Sequence, residues 1–263
     1  NSRKMFTYMG SLASKNVALT PIDLNSSTFN SSAKTATGVS DNATYTNLMN
    51  WYKGYEVSSL YDGLETPTVE RKQLGAALHS EPILVNYGYT GTLADANNPD
   101  NQKNYVFFST LEGTLHAIDA KTGKEKFSFI PGEKLATLKD RYDNPMAGLP
   151  EFGMDLTWNA WRKDADATGQ IDAGDKVYLY GGMRMGGKNY YALDATDLNN
   201  PQLLFAIQGG TGKYVNMGQS WSKPIITNIK VGNVNKSVLV FGGGYDPRHE
   251  SANEIFTGND KGN

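Results

Sequence analysis

The chain has 263 residues and a mass of 28.7 kDa, enough for one large domain or two small ones. Twenty-five Lys and Arg against 27 Asp and Glu leave a net charge of −2, so no phosphate-neutralising surface exists and nucleic acid is excluded as the main partner. No run approaches 18 apolar residues, which excludes a helical transmembrane segment, and the absence of cysteine removes disulfides, thiolate metal sites and cysteine nucleophiles together.

Only 20% of the residues are charged, while Gly (28), Tyr (15) and Phe (10) are abundant, a composition that points to a β-rich protein facing the cell exterior. The chain opens at Asn1 without a signal peptide, so processing or excision from a longer protein is expected.

Arg3 to Met9 alternates as an edge strand does. From Asn25 to Thr46 the chain is so rich in Asn, Ser and Thr that it predicts an exposed loop. Its Asn-x-Ser/Thr triplets at Asn25, Asn30 and Asn42 would matter only in a eukaryotic secretory pathway. Between Thr44 and Tyr55 the spacing of Leu48, Trp51, Tyr52 and Tyr55 predicts a short amphipathic helix, and a polar link with Pro67 runs on to about Gly75. Residues 1–77 thus read as a lead-in to a second region, 78–263.

That second region repeats itself. His79-Ser80-Glu81-Pro82-Ile83-Leu84-Val85 returns as Trp221-Ser222-Lys223-Pro224-Ile225-Ile226-Thr227. Tyr105 to Ser109 has counterparts in Val177 to Gly181 and Val238 to Gly242, and Gly113 to Ala120 matches Lys188 to Ala195. Lys126 to Ile130 matches Leu203 to Ile207. Each unit is four short strands between Gly, Asn or Asp turns, which is the signature of β-propeller blades. Both alternation phases carry bulky groups, with Val106 and Phe108 on one side and Tyr105 and Phe107 on the other, so each sheet needs neighbours on both faces. Gly181-Gly182 and Gly242 to Gly244 follow second strands, where the backbone is expected to bend. The fold class expected is all-β, a partial propeller of four-stranded antiparallel blades with a short helix and long loops near the N-terminus; a β-sandwich is the alternative. Two units are complete, at about 78–131 and 152–209, and a third has two strands by Asp246. A propeller closes with roughly four to eight blades, so the chain reads as part of a longer ring, with Ser251 to Asn263 connecting to a further strand.

One constellation carries chemistry. Asp164 to Asp175 fits the twelve-residue EF-hand loop, in which alternating oxygens wrap a hard cation. The ligands would be Asp164, Asp166, Thr168, Gln170 (through its main-chain carbonyl), Asp172 and Asp175, with Gly169 at the sharp turn and Ile171 at position eight. Calcium is the cation implied. Position five is a neutral Thr and position twelve a short Asp, and Lys176 to Leu179 begins a strand where an EF-hand has a helix. The expectation is an EF-hand-like loop without the helix pair, inserted between the first two strands of a blade; a solvated acidic turn is the plain alternative.

Other candidates are weaker. His79, His116 and His249 are far apart and read as packed or hydrogen-bonded residues, with His249 the more exposed. Gly182 to Gly187 lacks the Gly-Lys-Ser/Thr ending of a phosphate loop, and Trp158, Trp161 and Trp221 read as packing aromatics rather than a sugar platform. No nucleophile elbow is present, so no catalytic residue is assigned.

Trp51-Tyr52-Lys53-Gly54-Tyr55, Leu78-His79-Ser80-Glu81-Pro82-Ile83, Gly113-Thr114-Leu115-His116-Ala117, Thr122-Gly123-Lys124-Glu125, Tyr191-Ala192-Leu193-Asp194-Ala195-Thr196 and Phe241-Gly242-Gly243-Gly244-Tyr245-Asp246 occur in an order that resembles the PilC-type β-propeller family of type IV pilus tip-associated adhesins and biogenesis factors. The resemblance covers most of residues 45–250. It implies a non-enzymatic bacterial protein at the pilus tip or on the outer membrane, acting in pilus assembly, retraction control and surface adhesion. The partners implied are minor pilins of the tip complex and a surface receptor, and family members use calcium in such loops. Two other classes share these blades: a quinoprotein dehydrogenase using calcium and a quinone, against which the missing vicinal cysteines count, and a scaffold propeller of outer-membrane assembly.

Overall fold

Alternating apolar residues between turn residues settle into three antiparallel meanders or hairpins, in the order the repeats suggested. The computed structural model describes residues 3–72, 74–144 and 152–250. Strands β1 (Met5–Tyr8), β2 (Val17–Ala18) and β3 (Thr20–Pro21) precede helices α1 (Ser27–Thr37) and α2 (Asn42–Tyr52). The first repeat follows as β4 (Ile83–Tyr89), β5 (Gln102–Ser109), β6 (Leu115–Asp119) and β7 (Glu125–Pro131), then helix α3 (Leu138–Asp143). The second is β8 (Asn159–Lys163), β9 (Lys176–Gly182), β10 (Tyr190–Asp194) and β11 (Gln202–Ile207), and the third is the hairpin β12 (Ile225–Val231) and β13 (Val234–Val240).

Sheet order is β3-β1-β7-β6-β5-β4 in the first sheet and β2-β11-β10-β9-β8 in the second, with β12-β13 apart. Strand β1 joins β7 in parallel, and the N-terminal run therefore adds an edge to each repeat. The protein is mostly β with few helices. Its sheets are open, however, and the described residues form no closed ring, so of the expected propeller only the repeated meanders stand. The expected connection from Ser251 to Asn263 lies outside the described residues.

The main core fills the space between the two large sheets. Phe107, Leu115, Phe127 and Phe129 meet Trp158, Leu179, Tyr191 and Leu193 there, nearly all of them fully buried. Burying a large apolar side chain stabilises by roughly 1.5–3 kcal/mol, so this interface is the principal source of cohesion. Trp158 explains Gly181. A Cβ at that position would stand 2.3 Å from the indole, so glycine is required for close approach and not for the bend expected from its place after the strand. At Gly244, by contrast, φ is +99°, and there the chain does turn.

Residues 25–46 are not a loop. Ser26 caps α1 by accepting from Phe29 N at 3.2 Å, and Gly38, at φ +68°, ends it. Phe29, Ala33 and Thr37 recur at four-residue intervals and form a buried stripe. They pack with Tyr45, Leu48, Met49 and Tyr52 from α2 and with Met5, Ile130 and Leu135. A narrow apolar stripe suffices when a partner covers it, because tertiary packing rather than composition stabilises most helices. Helix α2 fulfils the helix expectation, although Tyr55 lies past its end and bridges to Glu70.

Strand β1 is anchored by charge as well as by packing. Arg3 donates to both oxygens of Glu125, at 2.9 and 2.7 Å, and His116 Nδ1 lies 2.8 Å from Glu125 Oε2. Burial alone would raise the Glu125 carboxyl, but the hydrogen bonds and charges of His116 and Arg3 outweigh it and hold the group at about 2.

Candidate metal centre

The acidic segment forms the connection from β8 to β9, as its position between two strand-like runs suggested. Three residues turn through the left-handed region, Ala167 (φ +59°), Gly169 (φ +81°) and Gly174 (φ +101°), which coils the loop tightly. The coil is held by its own carboxylates. Asp164 Oδ2 accepts from Gly169 N at 2.8 Å, and Asp166 Oδ1 accepts from Thr168 N at 3.2 Å. Asp175 closes the loop, accepting from Ala165 N at 2.7 Å and from Asp172 N at 3.0 Å. Those main-chain donors hold the Asp175 carboxyl below its usual range.

One oxygen each from Asp164, Asp166 and Asp175 lie within 4.8 Å of one another. An ion holding oxygens at about 2.4 Å leaves no two of them more than about 4.8 Å apart, so a single cation could touch all three. Asp164 Oδ1 is shielded from solvent and has no hydrogen-bond partner. A buried carboxylate oxygen left in that state is costly, and a cation is the group that would satisfy it. The charges of Arg162 and Lys163 help to hold the Asp175 carboxyl down, while those of Asp164, Asp166 and Asp175 bear on Asp172.

The remaining predicted ligands sit differently. Asp172 is exposed and lies outside the close group, yet desolvation and then the charges of Asp166, Asp175 and Asp164 push its carboxyl up. Thr168 Oγ1 accepts from Gln170 N at 3.3 Å. The Gln170 side chain turns away to Tyr89, in keeping with position seven offering only its carbonyl. Sequence spacing gave no sign of Arg162, whose Nη2 lies 3.4 Å from Asp164 Oδ2 and donates to Gly169 O at 2.9 Å.

The histidines take part in side-chain pairs. His116 is buried against Glu125, and His79 Nδ1 lies 2.6 Å from Asp155, a buried carboxylate that also receives Arg184 at 3.3 Å. His249 is exposed, 6.1 Å from the Tyr245 ring. Trp158 is core, Trp161 stacks on Tyr178, and Trp221 lies under the Arg184 guanidinium at 4.3 Å. Arg184–Gly186 make a single 3₁₀ turn with no helix following, so no phosphate cradle forms there.

Fold and loop together define a mostly-β repeat protein with an acidic loop between the first two strands of its second repeat. No family model matches the chain. It is 31% identical over 176 residues to the type IV pilus biogenesis factor PilY1 of Pseudomonas aeruginosa strain PAK, covering 66% of this chain and 14% of that protein. Against PilY1 of strain UCBPP-PA14 it is 27% identical over 201 residues, covering 68% and 16%. A PilY1 homologue of Xylella fastidiosa is 30% identical over 175 residues, covering 60% and 13%. The solved C-terminal domain of Pseudomonas aeruginosa PilY1 superposes with a TM-score of 0.38 at 24% identity, over 61% of this chain and 31% of that one. The homologues of this chain are PilY1 type IV pilus biogenesis factors, and the PilC-type resemblance fits them. The chain spans about one-seventh of the length of these relatives.

Proposed function

We propose that this chain acts within a type IV pilus biogenesis factor at the bacterial surface, at the pilus tip or outer membrane. Its work there is pilus assembly, control of retraction and surface attachment, without catalysis. The alignment with PilY1 over two thirds of the chain carries this reading. Minor pilins of the tip complex and a host or abiotic surface are the partners it implies. Deleting the gene should abolish piliation, twitching and attachment, and normal behaviour of the deletion strain overturns the assignment.

In this reading residues 78–263 supply propeller blades and 1–77 lead into them. The support is apolar surface left uncovered at both ends of the stack. Leu84 is 63% exposed on the first sheet, in register with Val106, and Ile225 and Val240 are 59% and 50% exposed, paired across the hairpin. Further blades on either side would cover them, which is how radial stacking keeps both faces dry.

Calcium is the proposed cofactor of the loop. Asp164, Asp166 and Asp175 would hold it by their carboxylates, with Asp172 and the Thr168 and Gln170 oxygens completing the shell. The unpartnered Asp164 Oδ1 supports this. Calorimetric titration should give binding heat for the wild type and none for Asp164→Ala combined with Asp166→Ala; equal traces overturn it.

A further inference from the structure

The acidic loop belongs to the second repeat, yet its tightest external contacts are with the first. Ile171 N donates to Tyr87 O at 3.2 Å. The Gln170 amide grips the main chain of Tyr89 from both sides, accepting from its N at 3.2 Å and donating to its O at 3.0 Å. Tyr89 Oη reaches Thr168 O at 3.5 Å, and Arg162 Nε donates to Asn86 O at 3.0 Å. Ile171 packs onto the core between the sheets.

Strand β4 is shaped to receive this loop. Its pairing with β5 shifts register between Asn86 and Tyr89; the Asn86 side chain satisfies both main-chain groups of Gly88, and the loop takes up Tyr87 O and the N and O of Tyr89. Gly88 lies at the contact with φ +114°, and a Cβ there would stand 2.1 Å from Gln170 Oε1 and 2.9 Å from Gln170 Cα. Only glycine lets the loop lie so close.

The gripping residues, Thr168 to Ile171, occupy loop positions five to eight, which include the ligand positions five and seven. We infer that the acidic loop is an inter-sheet clamp, in which cation binding at Asp164, Asp166 and Asp175 fixes the Thr168–Ile171 segment and so docks the irregular Asn86–Tyr89 stretch of β4 onto the second repeat. The inference rests on the calcium reading above. Binding and docking are then linked reciprocally: whatever factor calcium adds to docking, docking adds to calcium affinity.

The test compares hydrogen exchange of the full-length protein in calcium chloride and in EGTA, alongside calorimetry of the same samples. Calcium should slow exchange of the Tyr89 and Ile171 amides by about fivefold or more, the low end of typical coupling. Gly88→Ala should retain binding heat, weaken calcium affinity by a similar factor and lose the protection at Tyr89. Tyr89→Phe, a gentler change that keeps the backbone, should do the same to a smaller extent. If the wild type gives heat while exchange at Tyr87–Tyr89 is indifferent to calcium, and Gly88→Ala binds as tightly as wild type, the clamp is overturned and the calcium site stands. If the wild type gives no heat, both fall.

Discussion

The two repeats place a loop at the same point, between their first and second strands, and use it in opposite ways. In the first repeat residues 90–101 are tied within their own repeat: Asp95 Oδ2 accepts from Thr92 N and Thr92 Oγ1 at 2.8 and 2.9 Å, Asn98 caps a 3₁₀ turn by accepting from Asp100 N, and Gln102 and Lys121 donate to the loop's carbonyls. In the second, Asp164 to Asp175 converge three carboxylates and leave one oxygen unpartnered. Neither loop lacks acidic residues. Both loops use backbone donors on their carboxylates; the difference is that only the second brings three carboxylates within 4.8 Å of one another and leaves an oxygen of one of them, Asp164 Oδ1, without a donor. Equivalent positions in a repeat are therefore equivalent in topology but not in chemistry.

The largest effect should fall on what the repeats share. Trp158→Ala opens the core between the sheets and should cost about 3–5 kcal/mol by chemical denaturation. A loss below about 1 kcal/mol would mean that the sheets do not pack on one another as described.

Next comes an anchor that the first repeat has and the second lacks. Glu125→Gln leaves Arg3 without its carboxylate and should cost about 3 kcal/mol. The sign of the pH effect follows from the depressed carboxyl: its contribution is complete above the unfolded value of 4.5 and is lost as pH falls towards about 2. Acid titration of stability should therefore flatten in Glu125→Gln relative to wild type, and an unchanged acid limb would remove Glu125 from this role.

The loops themselves give the sharpest contrast. Asp164→Ala should abolish calcium-dependent protection, while Asp95→Ala should leave calcium binding untouched; sensitivity of both would erase the distinction between the loops.

The smallest effect is the pH dependence of calcium binding. The Asp172 carboxyl is raised by desolvation and by its acidic neighbours, so it takes up a proton at a higher pH than an ordinary aspartate does, and calcium affinity should decline on acidification. Asp172→Asn should bind more weakly at neutral pH and with a shallower pH dependence; an identical profile would exclude Asp172 from the site.

Much of this arrangement was legible in the residues because it is local. The strand units from Tyr105 to Ile130 and from Val177 to Ile207 are announced by alternation and turn residues a few positions apart. The acidic loop is legible for the same reason, since acidic residues at alternating positions with Gly169 at the turn lie within one coil. Local signals failed where burial depended on a distant partner. Phe29, Ala33 and Thr37 look like scattered residues in a polar stretch until α2 and Met5 lie opposite them. Gly181 looks like a bend until Trp158 occupies the space beside it. His79 and Asp155 are 76 residues apart, and Gln170 and Tyr89 are 81 apart, so neither contact leaves a trace in spacing.

By itself, then, the order of amino acids determined the repeat, the strands and the place of the acidic loop between two of them, because each depends on residues that are neighbours along the backbone. Tertiary structure alone decided that a polar stretch becomes helix α1, that Asp164, Asp166 and Asp175 converge while Asp172 stays outside, and that the loop grips the other repeat. Those outcomes depend on which surfaces come to face one another, and burial rewards a contact only once both sides are in place.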